Sequence, residues 1–324
     1  MLTEKTNILC ILEILKKYSD SDHILSVYDI LEKLKLIYDI KADRRTVYRN
    51  IDALIELGYD ISKYSENKEG YYLRERDFEA SELHMLCDAV LTAECISERQ
   101  GKTLIKKLQG LGSIYQTSCT KNLSLMKTDK KAPNPEVFLN IELLDEAISQ
   151  QKQVEFDYLT YDLSLTLKPR RKEKYIVSPY TLYYSGGQYY LLSGMDTHEG
   201  ITHYRLDRMK HLRITDTLSK PISKGFNIYD YASKSLFMFS GETQAFTIRC
   251  AKKILNDVVD RFGDQIIITD SDDDTFTTIV KATCGGMRIW AIHYIETCEV
   301  LEPEWLVNEV KNAIQTGMKN YNIT

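Results

Sequence analysis

Ser178-Pro179-Tyr180-Thr181-Leu182-Tyr183-Tyr184-Ser185-Gly186-Gly187-Gln188-Tyr189-Tyr190-Leu191-Leu192 opens the stretch that decides how this chain is read, and Thr202-His203-Tyr204-Arg205-Leu206-Asp207-Arg208-Met209 closes it. Tyr and Leu fill the runs, and a Gly pair and a polar cluster at Asp196 to Gly200 divide them. That pattern predicts strands joined by tight turns. The last run sets a histidine and two arginines among apolar neighbours. Arginine inside a core-like strand needs an anionic partner, internal or bound. In an extended strand His203 and Arg205 share one face and Tyr204 and Leu206 the other. Arg208 joins Arg205 only if the chain bends at Leu206-Asp207.

Upstream, Leu139, Leu143, Leu144, Ala147 and Ile148 predict a helix over 137–150. Strands are expected at 154–158 and 164–169. The basic run Lys168, Arg170, Arg171, Lys172 and Lys174 that follows is either a solvated strand face or a nucleic-acid surface. One helix and about five short, sharply turned strands point to a small barrel of the SH3 or Sm type. Downstream, after Lys220-Pro221, the order is strand (245–250), helix (251–262, closed by Gly263) and strand (265–269). An acidic turn (270–274) and a strand (276–283) follow. A mixed apolar segment (287–295), a strand (298–301) and a helix running to Met318 complete a βαββαβ-like, α+β order.

The N-terminal part is helical at three places. Apolar stripes cover 6–18, a stretch after the N-cap Ser26, and a stretch from Asp43 to Gly58. Short strand candidates at 59–64 and 70–73 follow, across a polar turn. Three helices and a hairpin are the layout of a winged helix-turn-helix. Its third helix must reach bases and phosphates with an apolar underside. Lys41, Arg44, Arg45 and Arg49 surround the acid Asp43, with Thr46 and Tyr48 among them, and Lys63 and Lys68 sit at the hairpin turn. These eight residues, Asp43 aside, are the expected DNA contacts; the bland alternative is a solvated helix face. Helical stripes across 79–115 predict a connector, and the polar, lysine-bearing stretch 117–136 a linker.

At 324 residues, with 43% apolar and 27% charged residues, the chain has the composition of a multidomain globular protein. Net charge is −5, so nucleic-acid binding must come from local patches. Seven scattered cysteines form no C-x-x-C pair and suit reduced, buried thiols. No signal layout or membrane-length apolar run is evident, which predicts a cytoplasmic protein without membrane contact. No H-E-x-x-H, G-x-S-x-G, phosphate loop or dinucleotide fingerprint occurs, so neither an enzyme, a metal site nor a bound cofactor is expected. Asp270, Asp272, Asp273 and Asp274 lack the spacing of a calcium loop.

Three motifs in this order resemble WYL-domain transcriptional regulators with a DeoR-like winged helix domain. They are Ser178-Pro179-Tyr180, Gln188-Tyr189-Tyr190-Leu191 (with Tyr189 where the family usually has tryptophan) and Tyr204-Arg205-Leu206-Asp207-Arg208-Met209. The tail, with Asp260-Arg261-Phe262-Gly263 and Val300-Leu301-Glu302-Pro303, resembles the family's WCX extension. The resemblance implies a multidomain α+β chain. Its expected parts are a winged helix-turn-helix (1–76), a helical connector and linker (77–136), an Sm/SH3-like WYL barrel (137–220) and a ferredoxin-like WCX domain (221–324). It implies a homodimer on double-stranded operator DNA, sensing a nucleotide or single-stranded nucleic acid through Ser178, Tyr180, His203, Arg205 and Arg208. The residues alone leave Arg205 between ligand contact and a structural pair with Asp157 or Asp207. They also leave open a scaffold that binds nucleic acid through the barrel without contacting operator DNA.

Overall fold

The first three helices, α1 (Asn7–Tyr18), α2 (Val27–Tyr38) and α3 (Arg44–Glu56), form where the apolar stripes lie and close over Ile11, Ile14, Leu15, Ile30, Leu34, Val47, Ile51 and Leu54. Their ends are set by local chemistry. The Asp29 carboxylate accepts the Ser26 backbone N–H at 2.8 Å while the Ser26 hydroxyl accepts the Asp29 N–H, a reciprocal cap on α2. Asp43 Oδ1 accepts the Thr46 N–H at 2.7 Å and starts α3. Gly58, at φ +97°, ends it in a conformation other residues avoid. This computed structural model describes residues 6–116, 134–195 and 198–323. Most of the expected linker, 117–133, therefore lies outside the described residues, as do Cys119 and part of the turn expected at Asp196 to Gly200. Two compact units, 1–133 and 134–324, divide the chain.

The two strands expected after α3 shrink to single bridges, Ile61 with Leu73 and Leu25 with Tyr71. Residues Tyr64–Asn67 instead form a helical turn, α4. Asn67 explains the change. Its amide donates to Ser62 Oγ (2.7 Å) and to the Gly70 carbonyl (3.1 Å), and its Oδ1 accepts the N–H groups of Glu69 (2.7 Å) and Gly70 (2.9 Å). A side chain that satisfies the local backbone this well removes the need for a ladder. Two more helices, α5 (Ala80–Thr92) and α6 (Glu98–Gln109), complete the first unit. The segment after α6 is fastened to the α1–α2 turn. Ser113 Oγ donates to Asp20 Oδ2 at 2.8 Å, and Tyr115 stacks on His23 at 3.5 Å.

In the second unit α7 (Val137–Ser149) packs on a curled antiparallel sheet of β1 (Lys152–Tyr161), β2 (Leu167–Pro169), β3 (Tyr175–Ser185), β4 (Gln188–Met195), β5 (His198–Arg205) and β6 (Met209–Leu218). Neighbours run β2-β1-β3-β4-β5, and β6 returns to β1. The curl comes from β3: residues 175–177 pair with β1, and from Ser178 onward the strand pairs with β4, with a bulge between Pro179 and Thr181. Gly186 and Gly187, both at positive φ, make the two-residue turn to β4. Phe156, Tyr158, Tyr175 and Tyr204 meet at centroid distances of 5.1–6.4 Å around buried Leu191.

After α8 (Ile228–Lys234) come β7 (Thr243–Ala251), α9 (Leu255–Phe262), β8 (Ile267–Ser271), β9 (Thr275–Thr283), α10 (Cys284–His293), β10 (Cys298–Glu302) and α11 (Glu304–Asn320). The apolar segment left unassigned from sequence is α10. The sheet order is β10-β7-β9-β8, every neighbour antiparallel. The acidic cluster is the β8–β9 turn: Asp272 Oδ1 accepts the N–H groups of Asp274 (2.8 Å) and Thr275 (2.6 Å). No described helix is long and apolar enough to cross a membrane.

The short segment between α8 and β7 reaches two cores. Leu236 enters the cluster of Phe246, Ile248, Met287 and Trp290, while Met238 packs with Leu192, Tyr231 and Ala232. Gly286 makes room for it: a Cβ there would lie 2.5 Å from the Leu236 carbonyl oxygen and 2.6 Å from its Cβ. We expect Gly286→Ala to lower stability by about 1–3 kcal/mol, seen as a lower melting temperature of the second unit. An unchanged melt would show that the segment yields freely.

Candidate nucleic-acid and effector interfaces

On α3 the buried stripe Val47, Ile51 and Leu54 leaves the opposite face to Arg45 and Arg49 and one flank to Arg44 and Tyr48, all exposed, with Thr46 half-buried. Lys41 is exposed just before the cap. Arg45 and Arg49 both lie close enough to Asp43 to act on it. Its carboxyl is held below its usual range chiefly by the Thr46 N–H, with help from these two guanidinium groups. Arg44 stacks over Tyr28 at 4.3 Å. Together with Ser26, Tyr48, Tyr64 and Gly70 they line an open groove of about 280 Å³ between the starts of α2, α3 and α4. Lys63 and Lys68 flank α4 and are exposed; Lys68 donates to the Ser65 carbonyl at 3.0 Å. Tyr28 and Tyr64 were not anticipated. The available signal was an aromatic in the first turn of an otherwise polar-faced helix.

Of the five expected effector residues, the structure brings two together. The 3-10 turn Leu206–Arg208 bends the chain where expected. Both Arg205 and Arg208 then act on the buried Tyr158 hydroxyl. Burial pushes that phenol up, and the two guanidinium groups and the Arg205 N–H, donated to it at 3.2 Å, oppose the rise. Arg208 also lies 5.9 Å from the Tyr161 ring. Arg205 forms a two-pronged pair with Asp207, Nε–Oδ1 3.0 Å and Nη2–Oδ2 2.8 Å, so the structural partner is Asp207 and not Asp157. Asp157 is taken by His211 at 2.7 Å.

Ser178 and Tyr180 do not join them, contrary to expectation. Ser178 pairs with Gly194 and Arg205 with Tyr190, which separates them by roughly 13 Å along β4 at the strand rise. Ser178 is buried, and its hydroxyl accepts the Lys220 N–H at 2.9 Å and the Gln153 amide at 3.3 Å. Tyr180 lies across Gly194, where a Cβ would sit 2.3 Å from its hydroxyl. A serine-proline step at a bulge explains both: it turns the strand, and the serine ties the end of the last strand to it.

His203 points at the inter-core segment. Its Nδ1 is 2.8 Å from the Met238 carbonyl, which accepts from it, and its ring meets Tyr231 edge-on at 5.6 Å. Its Nε2 is buried without a hydrogen-bond partner among the described residues. Burial pushes the imidazole pKa down, and the Met238 contact offsets this only partly. A folded-state pKa below the unfolded value of about 6.5 means the unfolded chain takes up the proton first. The contribution of neutral His203 is then complete above that value and lost as pH falls from it toward the folded-state pKa. The melting temperature of His203→Gln should therefore fall less between pH 7.5 and 5 than that of the wild type. Parallel profiles would dismiss His203 as the group responsible.

No curated protein matches the chain. Among solved structures it is similar to proteasome accessory factor B/C (PafBC) of Arthrobacter aurescens, with a TM-score of 0.28 and 14% identity over 98% of this chain and 49% of that one. The chain thus spans about half the length of PafBC. It is also similar to a CRISPR Cas-related protein, with a TM-score of 0.40 and 14% identity, covering 98% of this chain and 85% of that one. The family comparison falls on the elements described above. The WYL domain matches residues 140–214, from within α7 to β6, and the WCX domain matches 242–318, from β7 to α11. The chain carries a WYL domain followed by a WCX domain.

Proposed function

We propose that this is a cytoplasmic, homodimeric transcriptional regulator that is not an enzyme. On this reading the first unit is a winged helix-turn-helix, with α3 in the major groove of operator DNA and the α4 turn as a shortened wing. The WYL sheet is an Sm-like sensor for an anionic nucleotide or single-stranded nucleic acid at Arg205 and Arg208. The WCX sheet, with its strand order β10-β7-β9-β8, is the ferredoxin-like extension. The carrying observation is the exposed set Arg44, Arg45, Tyr48 and Arg49 on α3, clear of its buried stripe, with Arg44 and Tyr48 lining the Tyr28–Tyr64 groove. Guanidinium groups on the first turns of a helix suit phosphate and base-edge contact, and nearby tyrosines suit sugar and phosphate contact. Effector binding would favour one arrangement of the protein over another and so change DNA affinity.

The test is selection of duplexes from a random pool by the full-length protein, followed by affinity measurement at stepped salt. Enrichment of one sequence class, bound with a log–log salt slope near −3 to −4 per protomer if four cations meet phosphates, is the expected result. No enrichment and salt-independent binding would overturn the reading.

A further inference from the structure

Cys250 on β7 and Cys298 on β10 stand directly opposite each other in antiparallel register. The hydrogen bonding around them identifies the kind of pair. Ala251 N–H donates to the Thr297 carbonyl at 2.8 Å, and the Cys298 N–H goes to Tyr294 at 2.8 Å. Such a non-hydrogen-bonded pair has its Cα atoms roughly 4.5 Å apart and its side chains closest. That lies within the roughly 4.4–6.8 Å Cα span that a disulfide bridges. The two sulfurs are 3.4 Å apart. Side-chain rotation alone closes the remaining gap of roughly 1.4 Å to a bonded pair, with no strand movement.

The setting also favours chemistry at this pair. Both cysteines are buried, Cys250 within β7 and Cys298 at the start of β10 after the Tyr294–Thr297 turn, so each sulfur has the other as its nearest reaction partner. The proximity of the sulfurs matters electrostatically. A thiolate on Cys250 is stabilised by the Cys298 S–H, which pushes the Cys250 thiol down and the Cys298 thiol up. The pair therefore releases its first proton more readily than an isolated buried thiol would. The bond would close a separation of 48 residues and tie β10, the strand that leads into α11, to β7.

We propose that Cys250 and Cys298 are a reversible dithiol that hydrogen peroxide oxidises to a cross-strand disulfide, which staples β10 to β7. In the first step the thiolate of the pair attacks one peroxide oxygen, forming a sulfenic acid and releasing hydroxide, which takes a proton to become water. In the second step the other sulfur attacks the sulfenic sulfur, the S–S bond forms, and the hydroxyl leaves as a second water. Two thiols and one peroxide thus give one disulfide and two waters. A dithiol reductant reverses the step by thiol–disulfide exchange.

The full chain is treated with hydrogen peroxide, quenched with an alkylating agent under denaturing conditions, digested and mapped by mass spectrometry. The expected product is a linked peptide pair joining Cys250 to Cys298, lighter by two hydrogens, that dithiothreitol separates. Oxidation should raise the melting temperature of the second unit by about 5 °C, and Cys250→Ser and Cys298→Ser should remove both effects. Recovery of both cysteines as alkylated thiols would overturn the proposal, as would sulfinic or sulfonic products or links to other cysteines. The peptide map of the wild-type chain decides the matter even if a serine variant folds poorly, and Cys298→Ala then provides the comparison.

Discussion

Replacing Arg45 and Arg49 together by alanine is expected to weaken operator binding on the order of 100-fold while leaving the melting temperature unchanged. Both side chains are exposed on α3, and alanine is at least as good a helix former as arginine. Substitution at such surface positions usually moves stability by less than about 0.5 kcal/mol. A phosphate or base-edge contact from a guanidinium contributes roughly 1–3 kcal/mol, so two lost contacts carry the larger effect. The log–log salt slope should also become shallower by about two if both arginines meet phosphates. Arg44 is a poorer choice, because its stacking on Tyr28 shapes the groove. Affinity measured at fixed salt by fluorescence anisotropy, beside a thermal melt, separates reading from folding. Wild-type affinity in a folded double variant would remove α3 as the reading element.

Elements whose determinants are local were legible in the sequence. Asp43 and Gly58 bracket α3 because a carboxylate cap and a left-handed glycine act within a few residues. At Leu206-Asp207 the sequence set a condition, since face alternation parts Arg205 from Arg208 unless the chain bends there, and the 3-10 turn meets it. The two-residue turn at Gly186-Gly187 was likewise local, whereas the curl at Ser178-Pro179 emerges only from the switch of β3 from β1 to β4. What could not be read depends on partners remote in sequence or on competing local bonds. Asn67 replaces a hairpin tip with a helical turn through four hydrogen bonds of its own side chain. The resemblance offered Ser178 as a ligand contact, and its structural partners, Gln153 and Lys220, 25 and 42 residues away, were not readable from the sequence. Tyr158 and Tyr161 acquire their place beside the arginines only through the pairing of β1 with β6.

That arrangement makes Arg205→Ala a variant with two consequences, and they must be separated. Asp207 is 8% exposed and Arg205 29% exposed in the side chain, and both oxygens of the carboxylate are engaged by the guanidinium. Truncating the arginine leaves a buried carboxylate without this partner. Discounted for the partial exposure of the guanidinium, the expected loss is about 2–3 kcal/mol, read as a lower denaturant midpoint with an unchanged slope. Adding Asp207→Asn should restore most of it, since a neutral amide costs far less to bury than an unpaired charge. The effector reading then rests on variants that fold. Arg208→Ala keeps the Arg205–Asp207 pair, yet it should weaken binding of a nucleotide or short single-stranded oligonucleotide about 10-fold or more, as loss of one charge-assisted contact implies. The Arg205→Ala/Asp207→Asn variant should do the same. Wild-type ligand affinity in both folded variants would assign Arg205 to the scaffold alone and move the search for the effector site elsewhere on the sheet.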